Sequence, residues 1–315
     1  MTLMRPDLTV LSYGGGTQSA ALALMSAAGD LPRLDAAIFA DTQGEMDETY
    51  EYAEYVKDRL AKVGIPFITA TAGSLEEHLL SEERTSANPT PPIYVVQPDG
   101  TRGRMSRYTC SYDFKRRIVT RETKRLCGPR GAWKLKTVEQ WMGYSADELG
   151  RMKSDDECRC AHTLAHHPGG SCDKCKCKCE RFDRWRINRF PLAMDLRFRR
   201  GDTIAWFAAH GHPTPPRSAC FFCPASTNQR WANLKANHPE KWERACFIDE
   251  HIRRGGAFNR RGGKPLRGEL FLHRSWTPLR TADLRTRAAV VADSGQGALF
   301  DVESENGCDG ESCWT

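Results

Sequence analysis

Near the N-terminus the chain reads TVLSYGGGTQSAALALM, Thr9 to Met25. Gly14, Gly15 and Gly16 can take positive φ and leave backbone N–H groups uncovered, while Ser12 precedes them and Thr17, Gln18 and Ser19 follow where a helix would begin. Oriented amides at the positive end of a helix dipole make a seat for an anion, phosphate above all. A glycine-rich turn that binds nothing has the same composition, so the bend by itself does not decide. It is neither of the common nucleotide loops. No Gly-Lys-Ser/Thr ends it, and Gln18 or Ser19 stands where G-x-G-x-x-G needs its third glycine.

Thiolate chemistry is the second candidate. Cys158, Cys160, Cys172, Cys175, Cys177 and Cys179, with His162, His166 and His167, crowd into residues 155–185, a stretch with no hydrophobic periodicity. The spacings suit one tetrahedral Zn²⁺ site, for example Cys158, Cys160, Cys172 and Cys175, or two sites, with an unstructured metal-scavenging tract as the alternative. Farther on, Cys220 and Cys223 form C-x-x-C before Pro224, two thiolates for a metal or an iron–sulfur cluster, with Cys110 as the candidate third ligand ahead of Cys127 and Cys246. A buried thiol pair or half of a structural zinc site competes with that reading.

The elements that must position these groups follow from periodicity. A short buried strand leads into the glycine turn and a helix runs from Ala20. Leu34 to Thr42 reads as a second strand ending at Asp41, DETYEYAEYVKDRLAKVG as an amphipathic helix closed by Gly64, and Ile65 to Thr71 as a third strand. Strand, helix, strand, helix, strand in this space implies a parallel sheet with right-handed crossovers. Ligands in such sheets sit beyond the carboxyl ends of the strands, so Ser12 to Ser19 and Asp41 to Glu45 should line one crevice. Residues 85–104 are turn-rich and expected as a long loop over it. A basic helix carrying Lys115, Arg116, Arg117, Arg121, Lys124 and Arg125 follows, then a strand within Lys136 to Tyr144. INRFPLAMDL resumes the sheet, and RRGDTIAWFAAHG is a helix capped near Asp202. Trp231, Leu234, Trp242 and Phe247 fall at helical spacing and are expected in the core.

At 315 residues the chain is long enough for one large α/β domain with embellishments. No apolar run approaches the roughly 20 residues of a membrane span, and no signal-peptide core is visible, so a cytoplasmic protein without membrane attachment is expected. The 13 cysteines, mostly in C-x-C and C-x-x-C spacings, read as metal ligands in a reducing compartment. A net charge of +6 is unevenly spread. Residues 251–287 are rich in Arg and Lys, a phosphate-binding surface or a solvated basic face, and residues 288–315 are acidic and expected to be partly disordered. The organisation expected is an α/β domain over 1–235 containing the 155–185 insertion, a basic helical or irregular extension over 236–287, and the acidic tail.

Several separated stretches together resemble the phosphoadenosine phosphosulfate (PAPS) reductase-like branch of the adenine nucleotide α-hydrolase (PP-loop) superfamily: SYGGGTQS, FADTQGEMDETY, RYTCSYDFK with GYSADELGR, and RFPLAMDL followed by SACFFCP. The resemblance implies a doubly wound, mostly parallel, Rossmann-like sheet. It implies that Gly14, Gly15, Gly16, Thr17 and Ser19 grip the phosphates of ATP with Mg²⁺, or of PAPS or its unphosphorylated analogue APS. Asp41 and Thr42 would approach the nucleoside, Lys115 and Arg151 would act as phosphate or transition-state cations, and Cys110, Cys220 and Cys223 would hold a 4Fe-4S cluster. Gln18 stands where the family has aspartate, and the E-C-G-L/I-H signature of true sulfonucleotide reductases is absent. The activity implied is ATP-dependent adenylation with pyrophosphate release, coupled to sulfur transfer from a sulfur donor onto a nucleic acid (tRNA or DNA) or a small molecule. The alternatives are a sulfonucleotide reductase served by a thioredoxin-like reductant, and a nucleotide or nucleic-acid binder that no longer turns over.

Overall fold

In the computed structural model of the chain, residues 6–81, 91–105, 110–152, 185–253 and 268–286 are described. The first half carries β1 (Leu8–Tyr13), α1 (Thr17–Ala28), β2 (Ala36–Asp41), α2 (Asp47–Lys62), β3 (Phe67–Thr71) and α3 (Leu75–Leu80). A hairpin, β4 (Tyr94–Val96) and β5 (Arg102–Arg104), precedes α4 (Arg117–Leu126), β6 (Val138–Met142) and β7 (Arg186–Arg189). The chain then adds α5 (Arg200–Ala209), α6 (Asn228–Asn237), α7 (Pro239–Arg253) and β8 (Glu269–Phe271).

Alternation along the central strands decides the layering. On β1, Leu11 and Tyr13 point into a cluster with Leu22, Met25, Phe39, Val56, Leu60 and Phe207, whereas Val10 joins Ile38, Ile118, Val119 and Val138 on the other face. Both faces are therefore apolar, and helices cover both. The result is a five-stranded, all-parallel sheet in the order β3-β2-β1-β6-β7, flanked by helices and compatible with a Rossmann-like fold. The order reverses between β1 and β6, which puts the loops after these two strands at the switch point where ligands of such sheets collect.

Residues 94–104 depart from the expected long loop. The turn at Asp99-Gly100, with Gly100 at φ 82°, folds them into a hairpin. Strand β8 adds to its other side as a three-stranded antiparallel sheet, order β5-β4-β8. A separate apolar cluster underlies it and takes in Leu75, Leu79, Phe222, Trp231, Leu234, Trp242, Ile248 and Leu279. Phe247, expected in the core, is 46% exposed instead. INRFPLAMDL is only briefly sheet: β7 ends at Arg189 and Pro191–Asp195 winds into a π-helical turn. The cysteine-rich segment and the acidic tail lie outside the described residues. Among the described residues no helix is long and apolar enough to cross a membrane.

Two buried polar groups fasten the last described segment. Asp249, fully buried on α7, accepts the N–H groups of Leu272 at 2.8 Å and Leu279 at 2.9 Å and pairs with Arg253. Asn228 gives its amide hydrogens to the carbonyls of Asp283 and Arg285, which leaves Oδ1 to accept from His273 Nε2 at 3.2 Å. His273 Nδ1 is then the acceptor for the N–H and the hydroxyl of Ser275. The Ser275 N–H on Nδ1 requires the neutral ring, and burial, with the Arg274 charge, pushes the His273 pKa down to about 4 against the pull of Asp283. An unfolded histidine takes its proton near pH 6.5, whereas the folded one waits until about 4. The stability it contributes is present above pH 6.5 and is lost as the pH falls toward 4. Denaturant unfolding at pH 7 and pH 5 should show this loss, and His273→Asn should flatten it; an unchanged pH dependence in the variant would rule out His273 as its source.

Candidate functional site

The apolar run of β1 carries the strand to Tyr13, and the bend begins at Gly14, which is buried. Gly15 has φ 78°, a conformation that suits glycine, and a Cβ there would lie 2.8 Å from Thr49 Cγ2. Ser19 holds the bend closed: its Oγ accepts from Gly14 N and donates to the Gly16 carbonyl, both at 3.1 Å. Its hydroxyl is thus spent on the loop, and it does not serve as the open donor expected from the sequence. Helix α1 begins after Gly16 with no side-chain cap and no acidic residue in its first turn. Among the described residues no acceptor takes the N–H of Gly15, Gly16 or Thr17. Thr49 lies beside the bend, fully buried, with Oγ1 lacking a partner among the described residues.

The loop after β6 closes on the same point. A Cβ at Gly143 would lie 2.7 Å from Ser19 N, so only glycine lets these backbones approach. Glu148 Oε2 accepts from Ser145 N, Ser145 Oγ and Gln18 Nε2, the last at 3.0 Å, which ties the start of α1 to the turn 146–151. Gln18 therefore bonds an acid across the switch point instead of supplying one. Arg151 ends that turn. Ser12 and Thr17 are both buried, on either side of the bend.

Strand β2 brings the second group. Asp41 Oδ1 accepts from Gln43 N at 2.7 Å and from Tyr50 Oη at 2.8 Å, with Gln43 forced to φ 57°. Burial and the Asp41 bond both raise the Tyr50 pKa, so it stays the donor. Four residues on, Glu45 is fully buried and meets Lys115 Nζ at 3.3 Å and the Ser218 hydroxyl at 3.1 Å. Lys115, expected to face phosphate, thus already holds a carboxylate. Ser218 in turn sits against the bend, its Oγ 3.2 Å from where a Gly15 Cβ would be. Glu45 falls in the crevice the sequence outlined, whereas Ser218 and Thr49 carry no signal beyond their order in the chain.

The basic helix is also largely engaged. Arg117 pairs with Asp113, Arg121 and Arg125 share Glu122, and Lys124 sits 3.9 Å from the Trp133 ring centroid. Charge that looks open in sequence is consumed locally, and this helix is not a free cationic stripe.

Of the proposed ligand cysteines, Cys110 and Cys220 pack against the same apolar cluster and Cys223 N–H bonds the Cys220 carbonyl at 3.1 Å, closing the C-x-x-C turn. The Cys220 thiol contacts Thr42 Oγ1 at 3.3 Å. Burial, reinforced by the Glu45 carboxylate, pushes its pKa up to about 12 against the pull of Lys115 and Thr42. Among the described residues no group of three or more Cys, His, Asp and Glu side chains is disposed to hold a metal ion. Cys158, Cys160, His162, Cys172, Cys175, Cys177 and Cys179 lie outside the described residues.

No family model matches the sequence, and no curated protein matches it either. The functional reading therefore rests on the residues themselves.

Two outcomes follow from this geometry. Glu45→Ala strands a mostly buried ammonium and should cost about 3 kcal/mol in denaturant unfolding, while Glu45→Gln with Lys115→Met should recover much of it. Strict additivity of the two single changes would show that the pair is not coupled. Iodoacetamide should leave Cys220 nearly unmodified at pH 9 in the folded, metal-free protein and label it on unfolding, as read by peptide mass mapping; rapid labelling of the native state would refute the buried neutral thiol.

Proposed function

We propose that this chain is a PP-loop enzyme of the PAPS reductase-like kind, which binds ATP at the Gly14–Gly16 bend and uses it to adenylate an acceptor. The observation that carries the reading is the uncapped N-terminus of α1 at the switch point, with the N–H groups of Gly15, Gly16 and Thr17 lacking acceptors among the described residues. A helix start often recruits Ser, Thr, Asp or Asn to this place, worth only a few tenths of a kcal/mol over the glycine that stands here. Glycine there leaves the donors for an anion, and a phosphate chain supplies oxygens at the spacing of successive amides.

In this mechanism the bend holds the β- and γ-phosphates while an acceptor oxygen attacks the α-phosphorus. The bond to the bridging oxygen breaks, and pyrophosphate leaves with its negative charge spread against donors fixed in advance. Lys115 reaches the developing charge by exchanging Glu45 for phosphate, while the Ser218 hydroxyl stays on that carboxylate. Sulfide then attacks the carbon that bears the adenylated oxygen, forming a C–S bond as the C–O bond breaks and AMP leaves with that oxygen. The acceptor class, nucleic acid or small molecule, and a cytoplasmic setting belong to this reading and to the resemblance behind it.

The Lys115–Glu45 pairing favours a second reading, in which nucleotide binds without turnover because its cation is already satisfied. One experiment separates them. Calorimetric titration with ATP should show binding that Gly15→Val abolishes and that Gly16→Ala alters without unfolding the chain. The Cβ space at Gly16 is open to 3.9 Å. Pyrophosphate release from ATP, stimulated by a nucleic acid and lowered at least about tenfold in Lys115→Met, supports the enzyme. Binding with no release supports the second reading, and absence of binding by the wild-type protein ends both.

A further inference from the structure

The antiparallel sheet β5-β4-β8 turns one face to the core beneath it and the other outward. Val95 and Leu270, paired across β4 and β8, are buried in that core, so alternation sends Tyr94, Arg102 and Arg104 to the opposite face. The arginines of α4 sit on acids. On this face the guanidiniums rest on rings instead: Arg102 lies 5.7 Å from the centroid of Trp276, and Arg104 5.5 Å from that of Tyr94. Arg104 is also held through Nε by the Pro92 carbonyl at 3.1 Å. Arg102 is exposed and meets no carboxylate among the described residues. Of the acids on the same sheet, Asp99 accepts the Thr101 N–H at 2.9 Å, and Glu269 stands two strands from Arg102 across Val96, about 10 Å away.

Trp276 is the unusual member of the group. Its φ of 56° is left-handed, which a bulky side chain rarely adopts and keeps only where its surroundings fix it. Three bonds do so here. Its backbone N–H donates to the His273 carbonyl at 3.1 Å, its indole N–H donates to the Gly103 carbonyl at 2.9 Å, and the hydroxyls of Ser275 and Thr277 beside it hydrogen-bond at 2.6 Å. The ring also meets Tyr94 edge to face at 5.9 Å, so it clamps the hairpin to the last described segment. Clamping accounts for the ring; it does not account for the exposed guanidinium laid over it.

Two guanidiniums steadied by rings and set two residues apart on one strand suit a chain of phosphates. Residues i and i+2 lie about 6.7 Å apart along a strand, close to the step between successive phosphates of an extended single strand. We infer that this face binds single-stranded nucleic acid, with successive phosphates at Arg102 and Arg104 and a base stacked on the outer plane of the Arg102 guanidinium, which Trp276 backs from beneath. A guanidinium can do both at once, since its plane takes a base while its edge donates to phosphate. A duplex keeps its bases stacked inside and offers none to that plane. An acidic peptide would answer the charge but brings no flat group to lay on it. After β5 the chain leads into the segment that carries Lys115, so a strand on this face is joined through that segment to the proposed adenylation site. That the strand is the acceptor rests on the adenylation reading, whereas its binding does not.

The test titrates the full chain, by fluorescence anisotropy, with labelled single-stranded octamers of uridylate and of thymidylate, with the thymidylate octamer annealed to its complement, and with polyglutamate of matched charge. At least one single strand should bind, with the duplex and the polyglutamate each weaker by about tenfold or more. Arg102→Gln should weaken strand binding about tenfold and lower the slope of log affinity on log salt by about 0.7. Arg102→Lys keeps the charge but not the plane, so it should keep the slope and still lose affinity. Trp276→Gly, whose backbone accepts the left-handed turn, should weaken the strand about tenfold and leave the ATP titration unchanged. Failure of both strands, equal binding of duplex or polyglutamate, or wild-type affinity in Arg102→Gln overturns the surface; a lysine as good as the arginine overturns the stacked base and the proposal with it. Strand binding in a protein that ignores ATP would sustain this surface and defeat the adenylation reading, and ATP binding without strand binding would do the reverse.

Discussion

The close approach of two backbones at the switch point is the constraint from which the site follows. Gly143, at the end of β6, leaves no room for a Cβ against Ser19 N, and this contact fixes where α1 starts relative to the sheet. Once that start is fixed, the bend must turn within three residues, Gly15 takes φ 78°, and Ser19 has to close the loop on itself through Gly14 and Gly16. Gly15 is demanded by crowding as much as by any ligand. What crowding does not demand is the missing cap on α1, since a serine or threonine at a helix start usually stabilises it. On the proposed reading, that omission leaves the donors at the bend to an anion.

Glu45 is the second organising group. Three segments far apart in sequence meet on one carboxylate: the loop after β2, the turn before α4 through Lys115, and the approach to Cys220 through Ser218. An ion pair buried to this degree contributes little net stability, because removing both charges from water offsets most of their attraction. Its effect is specificity of arrangement, and it keeps the Cys220 thiol neutral by raising its pKa further than burial alone would. A group that holds Lys115, positions Ser218 beside the bend and opposes ionisation at Cys220 links the glycine bend to the thiol. Any chemistry that neutralises or displaces Lys115 would be felt at the thiol.

The fold was legible where hydrophobic alternation was strong. Val10 and Leu11, or Ile38 and Phe39, announce strands apolar on both faces, and a parallel sheet follows from the helices between them. The hairpin at 94–104 was hidden because Pro91-Pro92 and Asp99-Gly100 signal turns as loudly as they signal a loop, and its partner β8 lies more than 160 residues away. Long-range pairing leaves no local trace. Phe247 shows the opposite error, a helical spacing that marked a face without telling which way it looked. At the site, the bend and the Asp41 to Glu45 crevice were visible from sequence, but the state of their charges was not. Lys115 and the arginines of α4 read as open cations only until their acids, distant or one turn away, are placed beside them.

That difference between a residue's type and its commitment bears on the whole functional argument. A charged side chain already paired is available to a ligand only at the cost of its present partner, so affinity reports the exchange and not the new contact alone. For Lys115 the exchange is carboxylate for phosphate, and two features of the structure lower its cost. On the proposed reading, Glu45 keeps the Ser218 hydroxyl as a donor after Lys115 leaves, and the backbone donors at the bend would hold the phosphate without the lysine's help. A preformed pair of this kind holds the cation in place before the nucleotide arrives, which spares the entropy of fixing a long flexible side chain during binding. The pairing that looks like inactivation in a static view is then equally a device for holding a catalytic cation ready, and the direction of its effect is set by whether the transition-state phosphate outbids a carboxylate for one ammonium.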